Sequence, residues 1–233
     1  RKVVSTTNLI KFNQIHGVLE EPLISCLCPT KNDPETVKLA VQCFNDQSYP
    51  NKELILVTDE GNPHLEFLET LVESNIKLFK APSGSVLGFL RNMSIKNASG
   101  EYIATWDDDD VHQKHRLTEQ YKAIEQSGKE ACYLSNTIIK DKTTGTIGIS
   151  KDLFAIDCTM LALKKTFVGY NDMADPNKIG GGVEDVPIRR SYLKQGSKKW
   201  DLIPSKESKL VYLQKPHLYV YNIHKHNTCD YLI

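Results

Sequence analysis

The chain has 233 residues, of which 25% are charged and 40% hydrophobic, and its formal net charge at pH 7 is zero. This composition is typical of a soluble globular protein with one α/β domain or two small ones, and the balanced charge gives no support for a general nucleic-acid binder. No run of about 18 apolar residues is present, so no membrane-spanning helix is predicted. A signal-peptide pattern is also absent, although a start at Arg1 rather than Met leaves room for a missing N-terminal piece.

The first half of the chain alternates strand and helix patterns. Continuously apolar runs predict strands at 22–30, 52–59, 76–82 and 101–107. Helical spacing and cap residues predict helices that begin at Asp33-Pro34, cover 64–73, and cover 86–97 with Gly100 closing the last one. Short connections between continuously apolar strands favour a parallel sheet that is covered by helices on both faces.

The pattern changes after residue 130. The sequence predicts a hairpin around Thr144-Gly145, further strands at 209–214 and 218–224, and a helix near 184–195. No internal repeat, low-complexity stretch or linker divides the chain. We therefore expect one domain with two functional halves.

The six cysteines are scattered and form no CxxC pair. Cys26 and Cys28 lie two apart in an apolar run, so we expect both on the same face of a strand, in the core. Scattered cysteines at this length favour reduced thiols over a disulfide framework, and we expect a cytoplasmic protein whose membrane contact, if any, is peripheral. A zinc site from His224, His226 and Cys229 is the weaker alternative, because no second Cys pair lies within reach.

Polar residues follow three of the predicted strands. They are Thr30 and Asn32, then Asp59, and then the four consecutive aspartates Asp107 to Asp110. Asp59 taken alone is better explained as a turn residue. Because ligands of open parallel sheets bind beyond the carboxyl ends of the strands, the three sets together indicate a binding site.

The run of aspartates predicts a cation site. Carboxylates suit magnesium, manganese or calcium better than zinc, and an EF-hand is excluded because the four residues are consecutive, with no glycine turn or trailing glutamate. A solvated acidic tract is the alternative, but such tracts do not usually end a buried strand. Magnesium sites often take their remaining ligands from phosphate oxygens, so the run indicates a metal-bound diphosphate substrate.

No standard phosphate-binding loop accompanies this cluster. The stretch 83–88 matches neither the GxGxxG fingerprint nor a P-loop, which argues against a Rossmann dehydrogenase or a P-loop kinase. We therefore expect the cation to hold the diphosphate, assisted by Arg91 or His224.

A second acidic pair lies in the stretch 180–193, where three glycines precede Glu184 and Asp185. One interpretation is structural, because carboxylates stabilise the N-terminus of a helix. The other is catalytic, because adjacent carboxylates beneath a flexible glycine loop can supply a general base. Spacing alone does not decide between the two.

The sequence resembles the family 2 glycosyltransferases, which are nucleotide-sugar enzymes of the GT-A fold. The similar stretches follow the family's order and run from residue 22 to residue 228. They are 25–61, 88–110, 115–117, 181–188 and 224–228. The first strand, the turn into the second strand and the Asp-x-Asp cluster are together specific to the family.

The resemblance implies an α/β protein with the GT-A (Rossmann-like) fold. We expect a central, mostly parallel sheet flanked by helices, followed by a mixed-strand C-terminal acceptor half. Residues 1–20 would be an N-terminal extension and residues 21–233 a single domain. Within that domain, 21–110 would form the nucleotide-sugar-binding half and 111–233 the acceptor and catalytic half.

The resemblance also implies a nucleotide site and a metal site. Residues expected at the nucleotide are Pro29, Thr30, Asn32, Asp59, Gly88, Arg91, Asn92, Asp107 and Asp108. Asp107 and Asp109 correspond to the Asp-x-Asp pair, with Asp107 near the ribose and the metal, and Asp109 ligating the Mn²⁺ or Mg²⁺ that bridges the diphosphate. His224 would complete the metal site or touch the diphosphate, with His226 as a nearby substitute. Asp108 fills the variable position of the motif, and its extra charge has no explanation in the sequence.

By the same resemblance the protein would be an inverting glycosyltransferase of class EC 2.4. Asp185, with Glu184 beside it, would take the proton from an acceptor hydroxyl while the cation neutralises the diphosphate leaving group. The expected donor is a nucleotide sugar, most commonly a UDP-sugar. The expected acceptor is a glycan, a lipid-linked or a protein-linked hydroxyl, and no nucleic-acid partner is expected.

Three other functions also use clustered aspartates. A sugar-phosphate nucleotidyltransferase would normally have a basic, glycine-rich N-terminal loop, which the stretch 28–35 is not. A metal-dependent nuclease would show basic patches for the nucleic-acid backbone. A non-catalytic, calcium-dependent sugar-binding module would keep the aspartates and need no base, so its binding would survive Asp185→Asn.

Overall fold

The computed structural model describes residues 21–150, 157–171, 194–195, 202–203 and 208–224. The strands are β1 Ile24–Pro29, β2 Lys52–Asp59, β3 Ile76–Ala81, β4 Tyr102–Thr105, β5 Val111–His112, β6 Ala131–Leu134, β7 Ile138–Asp141, β8 Ile147–Ile149, β9 Leu161–Leu163, β10 Lys194–Gln195, β11 Leu202–Ile203, β12 Leu210–Leu213 and β13 Tyr219–Ile223. The α-helices are α1 Pro34–Asn45, α2 Leu65–Thr70, α3 Leu87–Asn97 and α4 Arg116–Ser127. Short 3₁₀ turns cover Asp157–Thr159, Lys164–Thr166 and Pro216–Leu218.

Within the described ranges these strands form a seven-stranded, a four-stranded and a two-stranded sheet. The seven-stranded sheet has the order β12-β6-β9-β4-β1-β2-β3, and its neighbours are parallel except where β9 pairs with β4 and β6. The four-stranded sheet has the order β5-β13-β7-β8 and mixes both senses. The mostly parallel central sheet predicted from the sequence is therefore confirmed.

The core lies on both faces of the seven-stranded sheet. Successive residues of a strand point to opposite faces, so Cys26 and Cys28 of β1 pack in one cluster with Phe44 of α1, whereas Leu27 packs in a second cluster with Leu90 of α3. A strand that is buried on both faces needs apolar residues throughout. This is why β1 and β2 read as continuous apolar runs.

The described cysteines are free and buried, and they are Cys26, Cys28, Cys43, Cys132 and Cys158. The placement of Cys26 and Cys28 in the core is thus confirmed. Of the alternative zinc site, His226 and Cys229 lie outside the described residues.

The start of α1 follows the predicted capping pattern. The Asp33 carboxylate accepts hydrogen bonds from the backbone N–H groups of Glu35 and Thr36, at 3.0 and 3.2 Å, and Pro34 occupies the first helical position. Such a cap satisfies donors that an isolated helix end would leave unpaired.

Two helix ends differ from the prediction. α2 ends at Thr70 rather than at residue 73, because Glu73 pairs its backbone with Ile76 in an isolated bridge. α3 ends at Asn97 and is not closed by Gly100. Gly100 is instead required by close packing, since a Cβ there would lie 2.6 Å from the carbonyl oxygen of Leu23.

The second half contains the predicted hairpin, formed by β7 and β8 around Gly145, whose φ is +74°. The strands predicted at 209–214 and 218–224 are present as β12 and β13. The helix expected near 184–195 is wrong for Lys194–Gln195, which pair with Leu202–Ile203 as an antiparallel ladder. The rest of that segment and residues 1–20 lie outside the described residues.

In the part of the chain that the structure describes, no helix combines the length and the apolar character needed to cross a bilayer.

Candidate functional site

The carboxyl ends of three strands meet at one edge of the seven-stranded sheet. β4, β1 and β2 are adjacent and parallel, so the residues that follow them are neighbours in space. The backbone N–H of Thr30 bonds the carbonyl of Val57 at 2.8 Å, and that of Trp106 bonds the carbonyl of Leu27 at 2.9 Å. The strand-end placement predicted for Thr30, Asp59 and the aspartates is confirmed.

The four aspartates alternate between exposure and burial. The side chains of Asp107 and Asp109 are 21% and 24% exposed, whereas Asp108 and Asp110 are buried. The segment runs from β4 in the seven-stranded sheet to β5 in the four-stranded sheet. Alternation therefore separates two carboxylates that a ligand can reach from two that are held by the protein.

Asp110 is held by the four-stranded sheet. Its Oδ1 accepts the backbone N–H of Asn222 at 2.7 Å, its Oδ2 accepts the hydroxyl of Tyr219, and the Asn222 amide donates to the carbonyl of Asp109 at 2.7 Å. Burial raises the pKa of Asp110 well above its ordinary value, and the neighbouring aspartates add to this. Asp110 is thus an anchor of the segment.

Asp108 is held by the end of β1. Its Oδ2 accepts the hydroxyl of Thr30 and its Oδ1 accepts the Asn32 amide Nδ2 at 2.8 Å. Burial raises the pKa of Asp108 to about 7, although the bond from Thr30 acts in the opposite direction. Asp108, Thr30 and Asn32 are thus in direct contact, and their expected place at a nucleotide stays a prediction.

The two partly exposed aspartates each have a basic partner. The Oδ2 of Asp109 lies 2.8 Å from Nε2 of His224, and the Oδ1 of Asp107 lies 3.1 Å from Nη2 of Arg91. Burial raises the pKa of Asp107, and the Arg91 charge opposes that effect. The structure therefore brings together Asp109 with His224, and Asp107 with Arg91, as the sequence suggested for a metal and diphosphate site.

In the described part of the chain, one group of three side chains has the spacing of metal ligands. Ligand atoms of Asp107, Asp110 and Cys158 lie within 4.8 Å of one another, but Asp110 is committed to Tyr219 and burial raises the pKa of the Cys158 thiol well above its ordinary value. Asp109 and His224 instead offer a partly exposed carboxylate and an imidazole 2.8 Å apart, with the partly exposed carboxylate of Asp107 two residues away in the chain. That donor set fits Mn²⁺ or Mg²⁺ better than one containing a buried neutral thiol.

A buried arginine lies directly behind the aspartates. The guanidinium of Arg116 donates to the carbonyls of Thr105 and Cys158, at 3.0 and 3.2 Å, and to Oε1 of Gln120 at 3.1 Å. It also lies 5.4 Å from the ring centre of Trp106. Its positive charge lowers the pKa of Asp107, so Arg116 offsets part of the repulsion that Asp107 receives from Asp109.

His112 links this arginine to the aspartates. Its ring stacks on Trp106 with centroids 3.8 Å apart, Nδ1 bonds Arg116, and Nε2 lies 2.9 Å from the carbonyl oxygen of Asp107. Burial and the Arg116 charge hold the pKa of His112 well below its usual range. The neutral ring therefore accepts from Arg116 at Nδ1 and donates to Asp107 at Nε2, which fixes the backbone at the first aspartate.

Asp59 makes a contact that the sequence did not predict. Its Oδ2 lies 2.6 Å from Nζ of Lys31, which also donates to the carbonyl of Ser85 at 2.9 Å, and its Oδ1 accepts the backbone N–H of Gly61 at 3.0 Å. The hydrogen bond and charge of Lys31 lower the pKa of Asp59. Asp59 is therefore both a turn residue and an ionised group at the site.

The other candidates differ in what they can offer a ligand. Asn92 uses its amide to hold the backbone of Tyr170, with Nδ2 donating at 2.9 Å and Oδ1 accepting at 2.7 Å. Pro29 and Gly88 are buried, at the end of β1 and in the first turn of α3. Glu184 and Asp185 lie outside the described residues.

The sequence analysis missed Lys31, His112, Arg116 and the Tyr219–Asn222 pair. His112 lies in β5 and Arg116 is the first residue of α4, so no helical spacing relates them. Tyr219 and Asn222 follow the acidic segment by more than a hundred residues, and no local pattern relates them to it.

A family model described as "Glycosyl transferase family 2" matches residues 25–194. The UDP-Glc:α-D-GlcNAc-diphosphoundecaprenol β-1,3-glucosyltransferase of Escherichia coli is 25% identical over 126 residues, which are 54% of this chain and 50% of that protein. The chain spans about half the length of the curated relatives it matches.

Two solved structures share the fold. Staphylococcus aureus TarS 1–349 in complex with UDP-GlcNAc has a TM-score of 0.66 and 16% identity, over 88% of this chain and 60% of that one. The mannosyltransferase of Pyrobaculum calidifontis in complex with GDP-Man and Mn²⁺ has a TM-score of 0.62 and 11% identity, over 96% of this chain and 66% of that one. The expected GT-A fold is confirmed by these likenesses, which at such identities establish the fold alone.

Proposed function

The chain belongs to glycosyl transferase family 2, and from this premise we propose that it transfers a sugar from a nucleoside-diphosphate donor to an acceptor hydroxyl with the help of a divalent cation. One observation carries the proposal. At the meeting point of β4, β1 and β2, the alternating aspartates leave two carboxylates accessible and place His224 beside one of them.

The proposed donor is a UDP-sugar. The nucleotide sugars named for the two similar structures, UDP-GlcNAc and GDP-Man, support a nucleotide-sugar donor in general, and the UDP-Glc named for the Escherichia coli relative favours UDP. That relative's acceptor is a sugar on a lipid diphosphate. We propose a glycan, lipid-linked or protein-linked hydroxyl as the acceptor of this chain.

Asp109, Asp107 and His224 would hold Mn²⁺ or Mg²⁺. A cation in that place supplies charge neutralisation to the diphosphate as it leaves. Two residues of the protein offset charge repulsion at this position. The buried Arg116 lowers the repulsion on Asp107, and Arg91 adds a second positive charge next to Asp107.

We assign the base to Asp185, with Glu184 beside it, on the strength of the sequence motif. In an inverting single displacement the acceptor oxygen forms a bond to the anomeric carbon from the face opposite the diphosphate. Asp185 takes the proton of that hydroxyl, the bond between the anomeric carbon and the phosphate oxygen breaks, and its electron pair leaves with the nucleoside diphosphate.

Calorimetry with UDP, GDP, dTDP and CDP, each with and without Mn²⁺, tests the proposal. We expect Mn²⁺-dependent binding of UDP, and loss of that dependence in Asp109→Asn. Glu66→Gln, which neutralises an exposed carboxylate on α2, is the matched control and should bind like the wild type. If none of the four nucleotides binds, with or without Mn²⁺, the proposal is contradicted.

A further inference from the structure

The charge of Asp108 is the part of the acidic motif that the proposed function leaves unused. The carboxyl group is buried, 5% exposed, and its two hydrogen bonds go to Thr30 and Asn32 at the end of β1. Neither bond goes to a group that would hold a metal. Asp108 therefore acts on the residues that follow β1, which lie 76 and 78 positions earlier in the chain.

The bond to Asp108 fixes which way the Asn32 amide faces. Nδ2 can only donate, and it donates to Asp108 Oδ1 at 2.8 Å. The carbonyl oxygen of the same amide, Oδ1, is the end that Asp108 does not hold, and it can accept from a ligand next to the second N–H of Nδ2. Since an amide has one donor end and one acceptor end, the aspartate sets the polarity that the side chain presents.

The same reasoning applies to Thr30. Its hydroxyl oxygen accepts the backbone N–H of Asn32 at 3.4 Å, and its proton is donated to Oδ2 of Asp108. While Asp108 is ionised, the single proton of the hydroxyl is committed to it, and the remaining capacity of Thr30 is a lone pair that can only accept. Thr30 and Asn32 thus each keep one acceptor oxygen, on a buried and on a half-buried side chain respectively.

Acceptors at this end of the site suit one part of a nucleotide and not the other. Ribose hydroxyls and the N–H groups of a base are donors, whereas ionised phosphate oxygens carry no proton and would meet the acceptors unfavourably. Positive charge beside Asp107 and Asp109 lies on Arg91 and at the proposed metal position, whereas Lys31, between Thr30 and Asn32 in the chain, is paired with Asp59. The site is therefore divided into an accepting end and a cationic end.

We propose that Asp108 is a positioning residue that orients Thr30 and Asn32 as acceptors for the nucleoside part of the donor, and that it does not ligate the metal. This role rests on the proposed function, because it assumes a nucleotide donor. It accounts for a carboxylate at a position where the Asp-x-Asp motif does not require one.

The test separates nucleoside binding from metal binding. Affinity for UMP and GMP is measured by calorimetry in EDTA, and affinity for Mn²⁺ alone is measured by electron paramagnetic resonance. Asp108→Asn keeps one acceptor oxygen and places an NH₂ group against the other donor, so that donor must turn. We expect UMP binding to weaken by about tenfold, the loss for one misdirected hydrogen bond, with Mn²⁺ affinity unchanged. Asp109→Asn should give the reverse pattern.

A double-mutant cycle distinguishes positioning from general stability. Thr30→Val removes the hydroxyl at constant shape. If Asp108 acts through Thr30, the loss of UMP binding free energy in the double variant should be clearly smaller than the sum of the losses in the two single variants. A merely structural role would lower the melting temperature of Asp108→Asn without such non-additivity. In steady-state kinetics the loss should fall on KM for the donor rather than on kcat.

Several outcomes would overturn the role. Unchanged UMP binding in a folded Asp108→Asn chain would do so, as would a loss of Mn²⁺ binding like that of Asp109→Asn. If Asp108→Asn does not fold, Thr30→Val decides, and wild-type UMP affinity in that variant would count against the role. If the wild type binds neither UMP nor any nucleoside diphosphate, the proposed function and the positioning role both fail. If the wild type binds and Asp108→Asn shows the same losses as Asp109→Asn, the positioning role alone fails.

Discussion

The two larger sheets meet at the aspartates but are built differently. In the seven-stranded sheet β1 is buried along its whole length, and helices pack on both of its faces. In the four-stranded sheet β8 is exposed along its whole length, with Ile147 and Ile149 67% and 59% accessible. Asp108 binds the end of the first sheet and Asp110 binds the second.

This difference teaches that the acidic segment depends on both sheets. A cation site made by β4 alone would hold its carboxylates only through the backbone. Here each buried aspartate is fixed to a different sheet. The positions of Asp107 and Asp109 are therefore determined by β1 on one side and by β13 on the other. The contribution of each sheet can therefore be tested by its own substitutions.

The largest effect is expected from Asp185→Asn in the second half. If this residue is the base, kcat should fall about a thousandfold, within the range for loss of general-base catalysis, while the affinity for the nucleoside diphosphate stays unchanged because the base acts on the acceptor hydroxyl. Steady-state kinetics and calorimetry on the same preparation measure both. Retained turnover in Asp185→Asn would mean that another residue is the base. If the wild type shows no turnover and sugar binding survives in the variant, the sugar-binding alternative is supported.

The next effect concerns Arg116, at the boundary of the sheets. Arg116→Met should lower the free energy of unfolding by about 3 kcal/mol or more, because the buried acceptors of Thr105, Cys158 and Gln120 lose their donor. Urea denaturation measures the change. Lys114→Met, which alters an exposed residue two positions away, is the control, and a similar small change in both variants would show that the buried cation is dispensable.

The smallest effect compares one isoleucine in each sheet. Ile55→Thr in β2 should cost about 2–4 kcal/mol of unfolding free energy, because a hydroxyl replaces a methyl-bearing group at a fully buried site. Ile147→Thr in β8 should change it by less than about 0.5 kcal/mol. Equal losses in urea denaturation would mean that the exposed face of the four-stranded sheet is covered in solution.

Sequence reasoning succeeded where the physical cause is local. The apolar runs of β1 and β2 show burial on both faces directly, and the cap at Asp33 depends on residues within one helical turn. The strand-end polar residues were also found, because parallel strands place their carboxyl ends at one edge.

It failed where the cause is a distant neighbour. Gly100 reads as a helix terminator, yet it is required by the approach of Leu23. Arg116 has a charged side chain, a kind that is rarely fully buried, yet it is fully buried here. The partners of Asp108 and Asp110 lie 76 to 112 positions away, so the division of the four aspartates into anchors and accessible groups could not be predicted from their spacing.

The buried thiols can report when the sheets around them open. Burial raises the pKa of Cys26 in β1 and of Cys132 in β6 to about 12, and only the thiolate reacts readily with alkylating reagents. Labelling must therefore wait until the sheet around each thiol opens. Cys158 packs with Tyr219 of the four-stranded sheet. In a Cys229→Ser chain, the order in which Cys26, Cys132 and Cys158 gain the mass of the alkylating label would give the order in which the sheets open.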